Sequence, residues 1–118
     1  MAIVVGHLST AEGKEALVAA VSEARQRQAG LVVVASDRSP AEELEALRSR
    51  LAESGVEHRV VAGGGDLADD LVRAATESDG ELIVIGLRRR SPVGKLILGS
   101  GAQRILLEAP CPVLAVKP

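Results

Sequence analysis

The sequence predicts a doubly wound α/β domain, and three observations predict it. Short runs of Val, Ile and Leu recur along the chain, continuous where a half-exposed strand would alternate. Longer stretches between them carry apolar residues at helical spacing. The two kinds alternate throughout, five runs with four amphipathic stretches. Continuous apolar runs suit strands covered on both faces, and their alternation with helices implies parallel strands joined by right-handed crossovers.

AIVVG (2–6) is the first buried strand. Ser9 with Glu12 three residues on forms a capping-box pattern, and Leu17, Ala20, Val21 and Ala24 share one face of the helix that follows. LVVVA (31–35) is the second strand. Ser39, Pro40 and Glu42 supply a cap, a proline at the first helical position and a third-position acid. Leu44, Leu47 and Leu51 are that helix's buried stripe, and Gly55 ends it. VEHRVVA (56–62) carries Glu57, His58 and Arg59, so it belongs at a sheet edge. Gly63-Gly64-Gly65 either leaves a ligand room or makes a tight turn, and Asp66 caps a third helix with Leu67, Leu71, Ala74 and Ala75 inward. Asp69 and Asp70 read as first-turn acids complementing the helix dipole. LIVIG (82–86) is the fourth strand. Ser100 with Gln103 opens the last helix, with Ala102, Ile105, Leu106 and Ala109 inward. PVLAVKP (112–118) is short and ends in Lys117-Pro118, a second edge.

The 118 residues read as one domain, 1–118, of globular composition, 47% apolar and 25% charged. No apolar run approaches the roughly 20 residues that span a bilayer. MAIVVGHLST lacks the basic region and apolar stretch of a secretion signal, so the expected location is cytoplasmic, away from membranes. The lone Cys111 rules out an internal disulfide and reads as a buried thiol. His7, His58 and Cys111 lack metal-ligand spacing, so no metal site is expected. A chain without Phe, Tyr or Trp has no platform for stacking bases, and its net charge of −2 disfavours phosphate tracks, so no nucleic-acid partner is expected. No nucleophile–base pair or paired carboxylates stand out, so catalysis is not expected.

One stretch is out of character. IGLRRRSPVGKLILGSGAQ (85–103) concentrates Arg88, Arg89, Arg90 and Lys95. Setting those four positive charges aside from the net −2 leaves −6, so the positive patch is local. In a doubly wound sheet, ligands bind beyond the carboxyl ends of the strands where strand order reverses, which makes 6–10, 35–39, 62–66 and 86–100 the loops that matter. Gly86 closes a buried strand and Gly99-Ser100 opens a helix, whose free N–H groups attract anions. Two readings stand: a phosphate cradle, or a serine cap beside solvated arginines. Gly6 and His7, at the end of the first strand, complete the candidate set. His7 either hydrogen-bonds a ribose or phosphate there, or is a polar loop residue.

VIGLRRRSPVGKLILGSGAQRILLEAPCPVLAVK resembles the C-terminal third of the universal stress protein family. Gly86, Gly99 and Ser100 match the first and last elements of its Gly, two residues, Gly, nine residues, Gly-Ser/Thr pattern. GDLADDLVRAATESDGELIVIG resembles the family's third helix and fourth strand, and IVVG its first strand. The resemblance implies an adenine nucleotide alpha hydrolase-like, Rossmann-type fold. The whole reading is a five-stranded parallel sheet in the order 3-2-1-4-5, with two helices on each face. The resemblance also implies ATP or a related adenine nucleotide as ligand, a stress-response role, and a homodimer through Val113–Val116. Two positions depart from the pattern. Arg89 stands at the middle glycine, and Leu8 stands where the family's first loop usually has a nucleoside-contacting Asp. Losing that carboxylate removes a polar handle of about 1–3 kcal/mol. The expectation is weak or altered nucleotide binding. The alternatives are a dimeric protein that has lost the ligand and works through protein contacts, and a slow nucleotide hydrolase.

Overall fold

The computed structural model describes residues 1–8, 10–36, 38–87 and 100–117. The elements are β1 (Ala2–His7), α1 (Ala11–Arg27), β2 (Gly30–Ala35), α2 (Ala41–Ser54), β3 (His58–Ala62), α3 (Leu67–Glu77), β4 (Gly80–Gly86), α4 (Ser100–Glu108) and β5 (Val113–Val116). The strands form one parallel sheet in the order β3-β2-β1-β4-β5, as the sequence predicts.

Strand alternation splits the core into two layers. Ile3, Val5, Leu31, Val33, Leu82 and Val84 point to one face, where Leu17, Ala20 and Ala24 of α1 and Leu47 and Leu51 of α2 cover them. Val4, Val32, Val34, Ile83 and Ile85 point to the other, against Leu71 and Ala75 of α3 and Ile105 of α4. Because the middles of β1, β2 and β4 are buried on both sides, residues 2–6, 31–35 and 82–85 are all apolar or glycine, and that is why those runs show no alternation. β3 is an edge strand, partly exposed along its length, as its polar residues require.

Helix ends differ from the sequence reading by single residues. Thr10, not Ser9, caps α1: its Oγ1 accepts from the Gly13 N–H at 3.2 Å. Ser9 itself lies outside the described residues. Pro40 is the cap position of α2 and makes no side-chain hydrogen bond, so Ser39 stands one residue outside. Asp66 caps α3 as expected, accepting from Asp69, and Gly55 ends α2 in the left-handed region at φ 74°. Two side chains stand differently from the sequence reading. Leu106 is 46% exposed, because only the Ile105 position of short α4 is buried. Asp70 stands in the first turn of α3 as read, but it is 6% exposed and accepts hydrogen bonds from the Gly64 N–H and from Arg73. Among the described residues, no helix is long and apolar enough to cross a membrane.

Candidate functional site

β1 and β4 lie side by side at the centre of the sheet, and the helices that follow them go to opposite faces. Their carboxyl ends therefore part, and a crevice of about 360 Å³ opens there. Gly6 and Leu8 line it from the exit of β1, Gly86 and Leu87 from the end of β4. α1 supplies Glu12 and Gly13 to its lining, α3 Leu67 and Leu71, and α4 Gly101, Ala102 and Ile105.

Three glycines set the shape of these walls. A Cβ on Gly86 would lie 2.2 Å from the carbonyl oxygen of Glu12, so α1 begins directly against the end of β4. A Cβ on Gly13 would lie 2.5 Å from the Leu8 Cβ, so the chain leaving β1 leans on the helix it enters. A Cβ on Gly6 would lie 2.9 Å from the Leu67 Cδ1, which lets α3 close over β1. The glycine that opens the predicted phosphate motif thus has a packing duty of its own.

The crevice is mostly apolar. Glu12 is the only charged residue among the described residues of its lining, and the Thr10 hydroxyl is engaged in capping α1. Polar character gathers at the start of α4. Ser100 is its first helical residue and exposed, and Gly101 and Ala102 bring that first turn into the wall. Such a turn presents unpaired N–H groups and partial positive charge. One turn on, Arg104 bonds Asp66 at 3.0 Å and Asp69, and lies 3.7 Å from Glu108. This tie fixes α4 to the cap of α3. The Arg104 hydrogen bond holds the Asp66 carboxyl below its ordinary range, and the same bond raises Arg104. Sequence reasoning missed Arg104, because a tie spanning 38 residues has no local signal.

Of the predicted site residues, Gly6 and Gly86 line the crevice and Ser100 stands at its α4 end. His7 does not join them. It is the last residue of β1, and alternation from Ile3 and Val5 turns it toward α1 and α2. It lines a separate hollow there, with Lys14, Glu43 and Arg50. Burial pushes its imidazole below the ordinary value of 6.5, against the upward pull of Glu43. Arg88, Arg89, Arg90, Lys95 and Gly99 lie outside the described residues. The triple glycine is closed: the Asp70 carboxylate fills the space beside Gly63, where a Cβ would lie 2.6 Å from its Oδ2. His58 Nδ1 donates to the Val56 carbonyl at 2.8 Å. Cys111 is half-buried against the α3–α4 layer, and burial raises its thiol. Among the described residues, no group of three or more His, Cys, Asp or Glu stands close enough to hold a metal.

Comparison with known proteins adds three findings. The model of the universal stress protein family matches residues 34–117. A universal stress protein of Mycolicibacterium smegmatis is 41% identical over 98% of this chain and 97% of its own length. Two solved structures share the fold over 99% of this chain. One is the Archaeoglobus fulgidus universal stress protein in complex with dAMP, at TM-score 0.70 and 29% identity over 98% of that chain. The other is a universal stress protein in complex with cAMP, at TM-score 0.74 and 25% identity over 96% of that chain.

Proposed function

Because this chain belongs to the universal stress protein family, we propose that its β1–β4 crevice holds an adenine nucleotide, with the phosphates at the amino end of α4. The observation that carries the reading is the meeting of an apolar crevice with a helix start at the switch point of the sheet. Leu8, Leu67, Leu71 and Ile105 offer a base the dry surface that most ligand pockets use. The N–H groups at the start of α4 suit an anionic group, and Arg88 to Arg90 with Gly99 and Ser100 would add charge and close backbone approach. Relatives solved with cAMP and dAMP support the same ligand class.

The proposed binding is weak. Leu8 brings a hydrocarbon to the crevice where a carboxylate would meet a sugar hydroxyl, and the sequence has Arg89 at the middle glycine of the family pattern. Calorimetric titration with ATP, ADP and AMP at low salt tests this. Binding that weakens as salt rises is expected, and no heat with any of the three would remove the reading. Tighter binding by Arg89→Gly would identify that side chain as the obstruction. Turnover that survives rigorous purification would replace binding with hydrolysis.

A second reading rests on the other end of the sheet. β5 is an edge strand of four residues, Leu114 on it is exposed, and Leu107 on neighbouring α4 is 86% exposed. A short apolar edge invites pairing with a second strand. A homodimer through Val113–Val116, acting by protein contacts in the cytoplasm, is the form this reading takes. Light scattering tests it: a mass twice the chain's that falls to the chain's own with Ala115→Pro would support it, and a monomer at every concentration would end it.

A further inference from the structure

The single charged residue among the described lining of the crevice, Glu12, has no work elsewhere in the fold. With Thr10 as the cap of α1, Glu12 is the second residue of that helix. A glutamate that closes a capping box does so from the third helical position, reaching back to the cap N–H, and Gly13 holds that place here. Among the described residues the Glu12 side chain makes no hydrogen bond or ion pair. Its Cβ lies 3.1 Å from the point that a Gly86 Cβ would occupy, so the side chain leaves α1 beside the end of β4. It is partly buried there, in a wall that is otherwise apolar. Any first-turn acid gains from the helix dipole. A carboxylate against hydrocarbon also gives up hydration, which donors on a ligand would restore.

We propose that Glu12 is the specificity-determining residue of the crevice, accepting from the ribose hydroxyls and so selecting a ribonucleotide over a 2′-deoxyribonucleotide. The inference rests on the reading that the crevice holds an adenine nucleotide. A carboxylate has acceptors only, so it pairs with hydroxyl or amino donors and repels phosphate. That repulsion turns the phosphates toward α4, on the other face of the sheet, where free N–H groups attract them. The base takes the apolar walls. The sugar joins base and phosphates, and it is then the part that passes Gly86 and Glu12. Its neighbouring 2′- and 3′-hydroxyls offer two donors to the two carboxylate oxygens, and a deoxyribose offers one.

The test is calorimetric titration at one salt concentration with ATP, 2′-deoxyATP and inosine triphosphate, which lacks the amino group of adenine. The native chain should bind ATP roughly tenfold more tightly than 2′-deoxyATP, the effect of one hydrogen bond to a charged acceptor. Glu12→Ala should bring the two within about twofold, and Glu12→Gln, which keeps a carbonyl acceptor, should leave about threefold. Each variant also removes a negative charge, which favours every triphosphate alike, so the ratio is the quantity read. Glu15→Gln removes the same charge from an exposed position on α1 outside the lining, and it should keep the native ratio. Equal binding of ATP and 2′-deoxyATP by the native chain overturns the proposal and leaves the crevice reading standing. So does a ratio that survives Glu12→Ala, or one that Glu15→Gln moves as far. Weaker binding of inosine triphosphate that Glu12→Ala abolishes would put the base amino group at Glu12 in place of the sugar, and overturns it too. No heat with any of the three ends both readings.

Discussion

The turn after β3 and the crevice at the ends of β1 and β4 use glycine in opposite ways. Gly63, Gly64 and Gly65 are consecutive and look like a loop cleared for a ligand, yet the space is taken. The Asp70 carboxylate sits where a Gly63 side chain would go and accepts from the Gly64 N–H at 2.9 Å, so the chain binds its own anion there. In the crevice the glycines are scattered along the sequence, at 6, 13, 86 and 101, and the space between them stays open. What fills the volume beside a glycine decides whether it marks a site. Glycine count does not.

The most severe way to break that contrast is at the crevice wall. Gly86→Ala drives a methyl to 2.2 Å from a backbone oxygen, and α1 must shift to admit it. A loss of about 3 kcal/mol in urea unfolding is expected, the upper end of overpacking costs. An unchanged midpoint would mean that α1 does not rest on β4.

The closed turn should yield next. Asp70→Ala removes the acceptor of the Gly64 N–H and the partner of Arg73 together. About 2 kcal/mol of stability should go, in the range for hydrogen bonds to a buried charge. Asp70→Asn keeps the shape and should lose less. Equal losses would show that volume, not charge, holds the turn.

A smaller effect separates the two faces of the sheet by pH. His7 is kept neutral by burial, so its folded value lies below 6.5 while the unfolded chain titrates at 6.5. Between those two values the unfolded chain binds more protons. Stability is therefore full above 6.5 and falls as pH drops through that window, and no more is lost from this group below its folded value. Unfolding midpoints at pH 7.5 and 5.5 should fall further in the native chain than in His7→Leu. Parallel declines would assign the acid sensitivity to other groups.

These contrasts explain how far the sequence could be read. The strands, their order and the edge position of β3 were legible, because burial on two faces leaves a continuous apolar record and an edge leaves a polar one. The crevice was legible as a place, since the order of elements fixes where the sheet reverses. Its chemistry was less so. His7 and Gly6 are neighbours in sequence, but the two-residue period of a strand sends them to opposite faces, and the extension of β1 by one residue decides it. Asp70 looked like Asp69 because both stand in the first turn of α3, yet one is buried under a glycine turn and the other meets Arg104. Arg104 itself was silent, because its partners at 66 and 69 belong to another helix.

The subtlest prediction sets Gly101 against Gly63. Both are glycines beside a helix start, but a Cβ on Gly101 meets nothing within 4 Å, and the position is helical. Gly101→Ala should therefore stabilise the fold by about 0.5–1 kcal/mol, the usual gain from replacing glycine inside a helix. The same methyl enters the wall of the crevice at the amino end of α4, where the proposed phosphates lie. Nucleotide affinity should fall as stability rises. Two readouts moving in opposite directions are hard to obtain from a residue that merely packs. If the variant gains stability and binds nucleotide as before, the phosphates lie elsewhere, and the open space beside Gly101 is only surface.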